Sequence, residues 1–245
     1  MRSFVKSCGL ALTLVVSAAV AASAEPVGPD PIRVTATVTE SDVAASNEKL
    51  RQAYGALVNM WSGDLKQLGA RFVPPSIARY RGAVRTSCGI MQPHNASYCY
   101  SANTIYFDEV FVASQSKAAA QQLGTDGDMA AVGIIAHEMG HAVAMQLGQA
   151  SRIPYENESV ADCLAGAFTQ RSQKDGTLEK GDLEEAFFGL AAAGDPTPRL
   201  TGYEQVDNRI LRRASLMGHG TREQRQANFN SGYEGGAKAC LDVFR

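Results

Sequence analysis

The chain has 245 residues, 23 Lys and Arg against 25 Asp and Glu, and an apolar share of 45%, which suits one domain with a sizeable core. Balanced charge, with no basic patch and no interleaved aromatic run, argues against a nucleic-acid partner. Past the N-terminus no segment is long and apolar enough for a stable membrane span, and no internal repeat or low-complexity tract is visible.

Met1 to Ala24 combines a basic start at Arg2 and Lys6, an apolar centre from Gly9 to Ala22, and Ala22-Ser23-Ala24 before Glu25. This is the pattern of a signal peptide over 1–24, so the mature protein is expected to be exported, to a periplasm or to the medium. An uncleaved anchor is the rival reading, and the shortness of the apolar stretch counts against it. Residues 25–40 read as a flexible leader, although Ile32, Val34, Ala36 and Val38 alternate as in an edge strand. The remaining 41–245 read as one domain.

Ser41 to Leu68 has helical spacing at Leu50, Tyr54, Leu57, Val58, Trp61 and Leu65, with Gly69 as its stop and Trp61 in the core. Arg71 to Arg85, broken by Pro74-Pro75, reads as one strand with an irregular entry. Ser97 to Asp108 gives a cleaner strand signal through Thr104, Ile105, Tyr106 and Phe107. It serves either as an edge that pairs with an extended peptide or as an ordinary core strand. His94, between Pro93 and Asn95, reads as a solvated loop residue.

Asp126 and Asp128 then stand where a helix would start, with Thr125 or Asp126 as cap and Gly148 as stop. The helix between them, Met129 to Leu147, is apolar or small on nearly every face except at His137, Glu138, His141 and Gln146, so it belongs in the interior. His137-Glu138-Met139-Gly140-His141 is an H-E-x-x-H. Residues four apart share a helix face, so both imidazoles can reach one metal ion, and Glu138 is placed to take a proton from water there. Core histidines satisfied by carbonyls are the bland alternative.

A catalytic zinc commonly keeps three protein ligands. A second helix, with apolar spacing at Val160, Cys163, Leu164, Ala167 and Phe168, carries Glu158 and Asp162 one turn apart, flanked by Ala161 and Ala165, which would permit close helix approach. Glu158 is assigned as third ligand and Asp162 as the acceptor that fixes a ligand imidazole's tautomer. Glu156 is the alternative ligand, and a solvated Glu and Asp pair the alternative to both.

H-E-M-G-H at His137 to His141, followed by E-S-V-A-D-C-L-A-G at Glu158 to Gly166, resembles the putative neutral zinc metallopeptidases of bacteria, a gluzincin-type branch. Ser87-Cys88-Gly89, Tyr98-Cys99 leading into Ile105 to Asp108, and His219-Gly220-Thr221 with Gln224-Arg225 agree in order. The likeness runs from about Tyr80 to Phe244. It departs at Ala142, where the family often has His, and over Pro196 to Asn208, which reads as a divergent loop. The resemblance implies an α+β, zincin-like fold with an active-site helix against a small sheet and a second ligand-bearing helix. It also implies Zn²⁺ as cofactor and hydrolysis of a peptide or protein substrate, and it suggests that His219 or Arg225 stabilises the charged intermediate.

Four cysteines follow the signal sequence, and four allow three connectivities. Cys88 with Cys99 and Cys163 with Cys240 are the favoured pairs; free buried thiols and a cysteine metal site are the alternatives. Leu183 to Ala193 reads as a helix capped by Asp182, and Gly194 to Gly202 as a loop. The expected enzyme is an exported zinc metallopeptidase. A zinc-binding, non-hydrolytic envelope factor and a metal-free structural domain are the rivals.

Overall fold

The structure, a computed structural model, describes residues 37–192, 199–214, 216 and 218–241. The expected signal peptide and nearly all of the leader, including the alternation at Ile32 to Ala36, lie outside the described residues.

Helix α1 (Glu40–Gln67) starts on a reciprocal cap: the Thr39 hydroxyl accepts from the Asp42 amide and the Asp42 carboxylate accepts from the Thr39 amide. It buries Leu50, Leu57, Trp61 and Leu65, the spacing read from the sequence, and Gly69 takes up a left-handed φ of 70° beyond its end.

Five strands follow: β1 (Ser76–Tyr80), β2 (Val84–Thr86), β3 (Gly89–Met91), β4 (Ala96–Cys99) and β5 (Thr104–Asp108). The strands differ from the expected ones in two places. Arg71 to Arg85 is not one strand, because the chain turns at Gly82, φ 72°, and places β1 and β2 in different sheets. Ser97 to Asp108 is likewise two strands, turned by Asn103 at φ 44°. Strands β1, β5 and β4 lie in that order, β5 parallel to β1 and antiparallel to β4, while β2 and β3 form a separate hairpin. The β-branched stretch of β5 is therefore central, and β1 and β4 are the edges.

No helix was expected immediately after β5, yet α2 (Glu109–Leu123) starts there, its first amides held by the Asp108 carboxylate. Helix α3 (Asp128–Gln146) follows and is buried on nearly every side. Neither Thr125 nor Asp126 caps it. Gly127 does, at φ 79°, with no side-chain cap bond, and the Met129 amide donates instead to Glu185 Oε2, 3.0 Å away. The long-range partner takes over the local cap's work. Gly148 sits beyond the end of α3 at φ 71°, as expected of a stop.

Helices α4 (Pro154–Lys174), α5 (Asp182–Ala192), α6 (Glu204–Ala214), α7 (Arg222–Gly235) and the short α8 (Ala237–Cys240) complete the chain. Asp182 is the first residue of α5 and accepts from the Glu179 amide at 2.8 Å. The start of the expected loop, 196–198, lies outside the described residues, and its end, Glu204 to Asn208, is the start of α6 and not loop.

Helix α3 is the centre, packed by α1, α2, α4 and α5, and α7 packs against α4 and α5. Paired glycines set two of these contacts. A Cβ on Gly133 would lie 2.2 Å from the Ala186 carbonyl oxygen, and one on Gly189 would lie 2.0 Å from that of Ala130. Gly166 and Gly232 meet α7 and α4 in the same way. Such approaches leave no room for a side chain. The sulfurs of Cys88 and Cys99, and those of Cys163 and Cys240, stand at bonding distance, the second pair joining α4 to α8.

Candidate metal centre

His137 and His141 leave α3 on the side facing α4. Between them is Gly140, where a Cβ would lie 2.9 Å from both Cα and the carbonyl oxygen of Ala161. The helices meet backbone to backbone at this level, which brings Glu158 of α4 to the two rings. His137 Nε2 is 3.1 Å from His141 Nε2 and 3.2 Å from Glu158 Oε2, and His141 Nε2 is 3.5 Å from Glu158 Oε1. Ligands about 2.0–2.1 Å from a tetrahedral zinc stand about 3.3 Å apart. The three donors match that spacing, and the buried Glu158 Oε2 makes no hydrogen bond. The residues fit the ion.

Asp162, one turn along α4 and fully buried, stands behind His137, its Oδ1 2.8 Å from His137 Nδ1. A proton on Nδ1 donated to this carboxylate leaves Nε2 with its lone pair toward Glu158 and His141. Arg225, on α7 and 1% exposed, donates from Nε to Asp162 Oδ2 at 3.0 Å and from Nη2 to Oδ1 at 2.6 Å. Ring, carboxylate and guanidinium thus form one chain from α3 through α4 to α7. The Thr221 capping box starts α7 and fixes the phase at which Arg225 points inward.

The charges of the site are strongly coupled. Burial resists a proton on His137, but Asp162 and Glu158 outweigh it and push its pKa up. Burial and the charge on His137 push His141 down. Burial raises Glu158, yet the close approach of His137 and the charges of His137, His141 and His219 bring it to about 2. Two imidazoles and a carboxylate crowded together at this spacing are a donor set for a cation.

Glu138 lies beside the rings in a cleft of about 660 Å³ that His137, His141 and Glu158 also line. It is 7% exposed and accepts from the Tyr98 amide on β4 at 2.7 Å, and burial, then the charge of Glu158, raises its pKa. Ala96, Ser97 and Tyr98 of edge strand β4 form one wall, with Phe111 and Leu190 on others. His219 lines the cleft and is exposed, as is His94. Glu156, the alternative third ligand, is engaged at the surface by the Ser151 hydroxyl.

Three contributors were not foreseen. The Tyr98 amide has no signal in residue type, since nearly every residue offers one. Arg225 is, with His219, one of two residues that the resemblance suggests for stabilising the charged intermediate, whereas two of its nitrogens are given to Asp162. Gly140 lay inside the motif, and its place between the two histidines, opposite a second helix carrying Ala161 and Ala165, was the available clue.

Among known proteins the chain is 34% identical over 203 residues to the uncharacterized protein YpfJ of Escherichia coli K12, covering 75% of this chain and 66% of that protein. It is 28% identical over 203 residues to the uncharacterized protein Rv2575 of Mycobacterium tuberculosis, covering 73% of this chain and 65% of that protein. The chain therefore matches just under two thirds of the length of these relatives. No solved structure matches it at a significant level. The family described as putative neutral zinc metallopeptidase matches residues 8–244, nearly the whole sequence around the two histidines and the glutamate, and the chain belongs to that family.

Proposed function

We propose that the protein is an exported zinc-dependent peptidase in which His137, His141 and Glu158 hold the ion and Glu138 is the general base. The observation that carries this reading is the convergence of two imidazoles and one carboxylate within 4.8 Å, with a second, buried carboxylate beside them in the same cleft. A bound Zn²⁺ would supply Lewis acidity, lowering the pKa of water and polarising a carbonyl.

The protein's own groups divide the remaining work. Asp162 and Arg225 hold the His137 ring in one tautomer and orientation, so Arg225 is a positioning residue. Glu138, its pKa raised by burial, accepts a proton more readily than an ordinary carboxylate would and can hand it to the leaving amine. The Tyr98 amide keeps that carboxylate aimed. His219, on the cleft wall, is the proposed donor to the developing oxyanion. The outer edge of β4 offers backbone groups to an extended peptide, which gives the substrate a register. Export accords with two cysteine pairs at bonding distance. No helix among the described residues is long and apolar enough to cross a membrane.

The test is Glu138→Gln with zinc content and peptide-library cleavage measured together. The variant is expected to keep one zinc per chain and lose at least about 10³-fold in turnover, because the amide fills the same space but takes no proton. Equal cleavage by both proteins would defeat the mechanism. A zinc-loaded wild type that cleaves nothing, unfolded protein included, would favour the non-hydrolytic envelope factor.

A further inference from the structure

The start of α3 carries a second cluster that the peptidase reading leaves unused. Asp126 and Asp128 lead into α3, Asp182 and Glu185 occupy the first turn of α5, and one oxygen from each lies within 4.8 Å of the others. Asp182 is 2% exposed and Glu185 fully buried. Lys49 from α1 reaches the cluster, its ammonium 2.6 Å from Asp128 Oδ2. Four carboxylates against one paired ammonium leave a large negative excess.

Part of the arrangement is ordinary helix-end chemistry. Glu185 Oε2 accepts from the Met129 amide and Asp182 Oδ2 from the Glu179 amide, and two helix N-termini favour negative charge nearby. That accounts for one oxygen on each of these side chains. It does not account for Glu185 Oε1 or Asp128 Oδ1, which are buried and accept no hydrogen bond. The Thr125 hydroxyl and the Gly127 amide lie close enough to Glu185 to lower its pKa, but neither stands in hydrogen-bonding geometry to it. Burial, and then the charge of neighbouring aspartates, pushes both Asp182 and Glu185 up. A buried carboxylate oxygen with nothing to accept is costly, and it is relieved by a proton or by a cation.

We propose that Asp126, Asp128, Asp182 and Glu185 bind a hard divalent cation of the calcium class that clasps the start of α3 to the start of α5. The donors are all oxygen, with no imidazole or thiolate to favour zinc. Calcium–oxygen distances of about 2.3–2.6 Å put opposite ligands about 4.8 Å apart, so the four oxygens can ring one such ion with little movement. Magnesium, at about 2.0–2.1 Å and strictly octahedral, needs a tighter cage than this. Asp126 is exposed and gives the ion an entrance and places for water. Lys49 can keep Asp128 Oδ2, because Oδ1 is the oxygen left over.

The experiment uses the full mature chain, zinc-loaded and freed of calcium on a calcium-selective resin. Calcium chloride is titrated calorimetrically, and the thermal midpoint is followed by circular dichroism, with magnesium chloride as the comparison. One calcium per chain is expected, with a rise of about 5 °C in Tm at saturation, a smaller rise with magnesium, and unchanged zinc content. Glu185→Gln and Asp126→Asn should each lose most of the rise. The second places its change at the surface, so a folding defect cannot stand in for a binding defect. No saturable calcium heat in the folded wild type, or an equal rise in both variants, would overturn the site and leave a proton as what relieves the cluster. Neither readout uses hydrolysis, so the outcome does not depend on the peptidase reading.

Discussion

One helix, α3, carries a carboxylate-containing cluster at its start and another past its middle, and the two are built differently. At the histidine site one ring is held from behind: Asp162 backs His137, Arg225 backs Asp162, and Gly140 lets Glu158 come near. At Asp128 the backing is only helix ends and one lysine, and two buried oxygens are left over. Fixed orientation of mixed nitrogen and oxygen donors suits a borderline ion that must keep a corner open for chemistry. Loosely held, all-oxygen donors suit an ion that does no more than close a gap between elements.

The largest expected effect tests whether the clusters are independent. His141→Ala should lose zinc, by elemental analysis, and hydrolysis down to background, yet keep the calcium-dependent rise in Tm. If that rise vanished along with zinc, the two clusters would be one coupled unit and the contrast would fail.

Next in size is Asp162→Ala, which leaves Arg225 buried and unpaired and should cost about 3–5 kcal/mol by denaturant unfolding. Zinc affinity should fall about 10–100-fold as His137 loses its orientation. The double variant with Arg225→Met separates the causes. Removing the stranded charge should recover much of the stability and none of the zinc affinity. Recovery of both would show that Asp162 serves folding alone.

These two predictions rest on parts of the molecule that the sequence revealed unequally. His137, His141, Glu158 and Asp162 were legible because each pair is one helical turn apart, and that spacing is itself the chemistry. Arg225 was noticed, but its partner lies 63 positions away, and no local pattern says that a guanidinium will face a carboxylate across two helices. The acidic cluster was legible only in halves. Asp126 and Asp128 read as charges at one helix start and Asp182 as the cap of another, and only the packing of α5 on α3 brings them together. Helix α2 and the hairpin of β4 with β5 were missed although their punctuation was present, in Asp108 as a cap and Asn103 as a turn residue. Strong β-propensity across Ser97 to Asp108 masked both.

Of smaller effect is the test of close approach as the device that brings His137, His141 and Glu158 together. Gly140→Ala puts a methyl group 2.9 Å from the Ala161 backbone and should cost about 1–3 kcal/mol, with weaker zinc binding. Gly55→Ala, on α1 with nothing within 4 Å, is the control. It should stabilise the protein by up to about 1 kcal/mol through helix propensity. Equal effects at the two positions would mean that α3 and α4 have slack, and that the ligand spacing has another origin.

The smallest expected effect is a slope, and it opposes the habitual sign for carboxylates. Asp182 and Glu185 have folded pKa values raised by burial, so the folded state binds their protons more tightly than the unfolded chain does. Stability from these groups is therefore gained as pH falls from neutrality through their folded pKa values, and lost as pH rises again. Paired carboxylates such as Asp42 and Glu48, each held down at about 2, contribute in the opposite sense at lower pH. Zinc-loaded wild type and Glu185→Gln, unfolded in urea at several pH values between 5 and 8 without calcium, isolate the term by difference. The wild type should lose stability relative to the variant as pH rises. Saturating calcium should flatten that difference or reverse it, because an ion in place of the proton rewards ionised oxygens and penalises their protonation. A difference that ignores calcium would leave a proton as the native partner of this cluster and a metal only at the other.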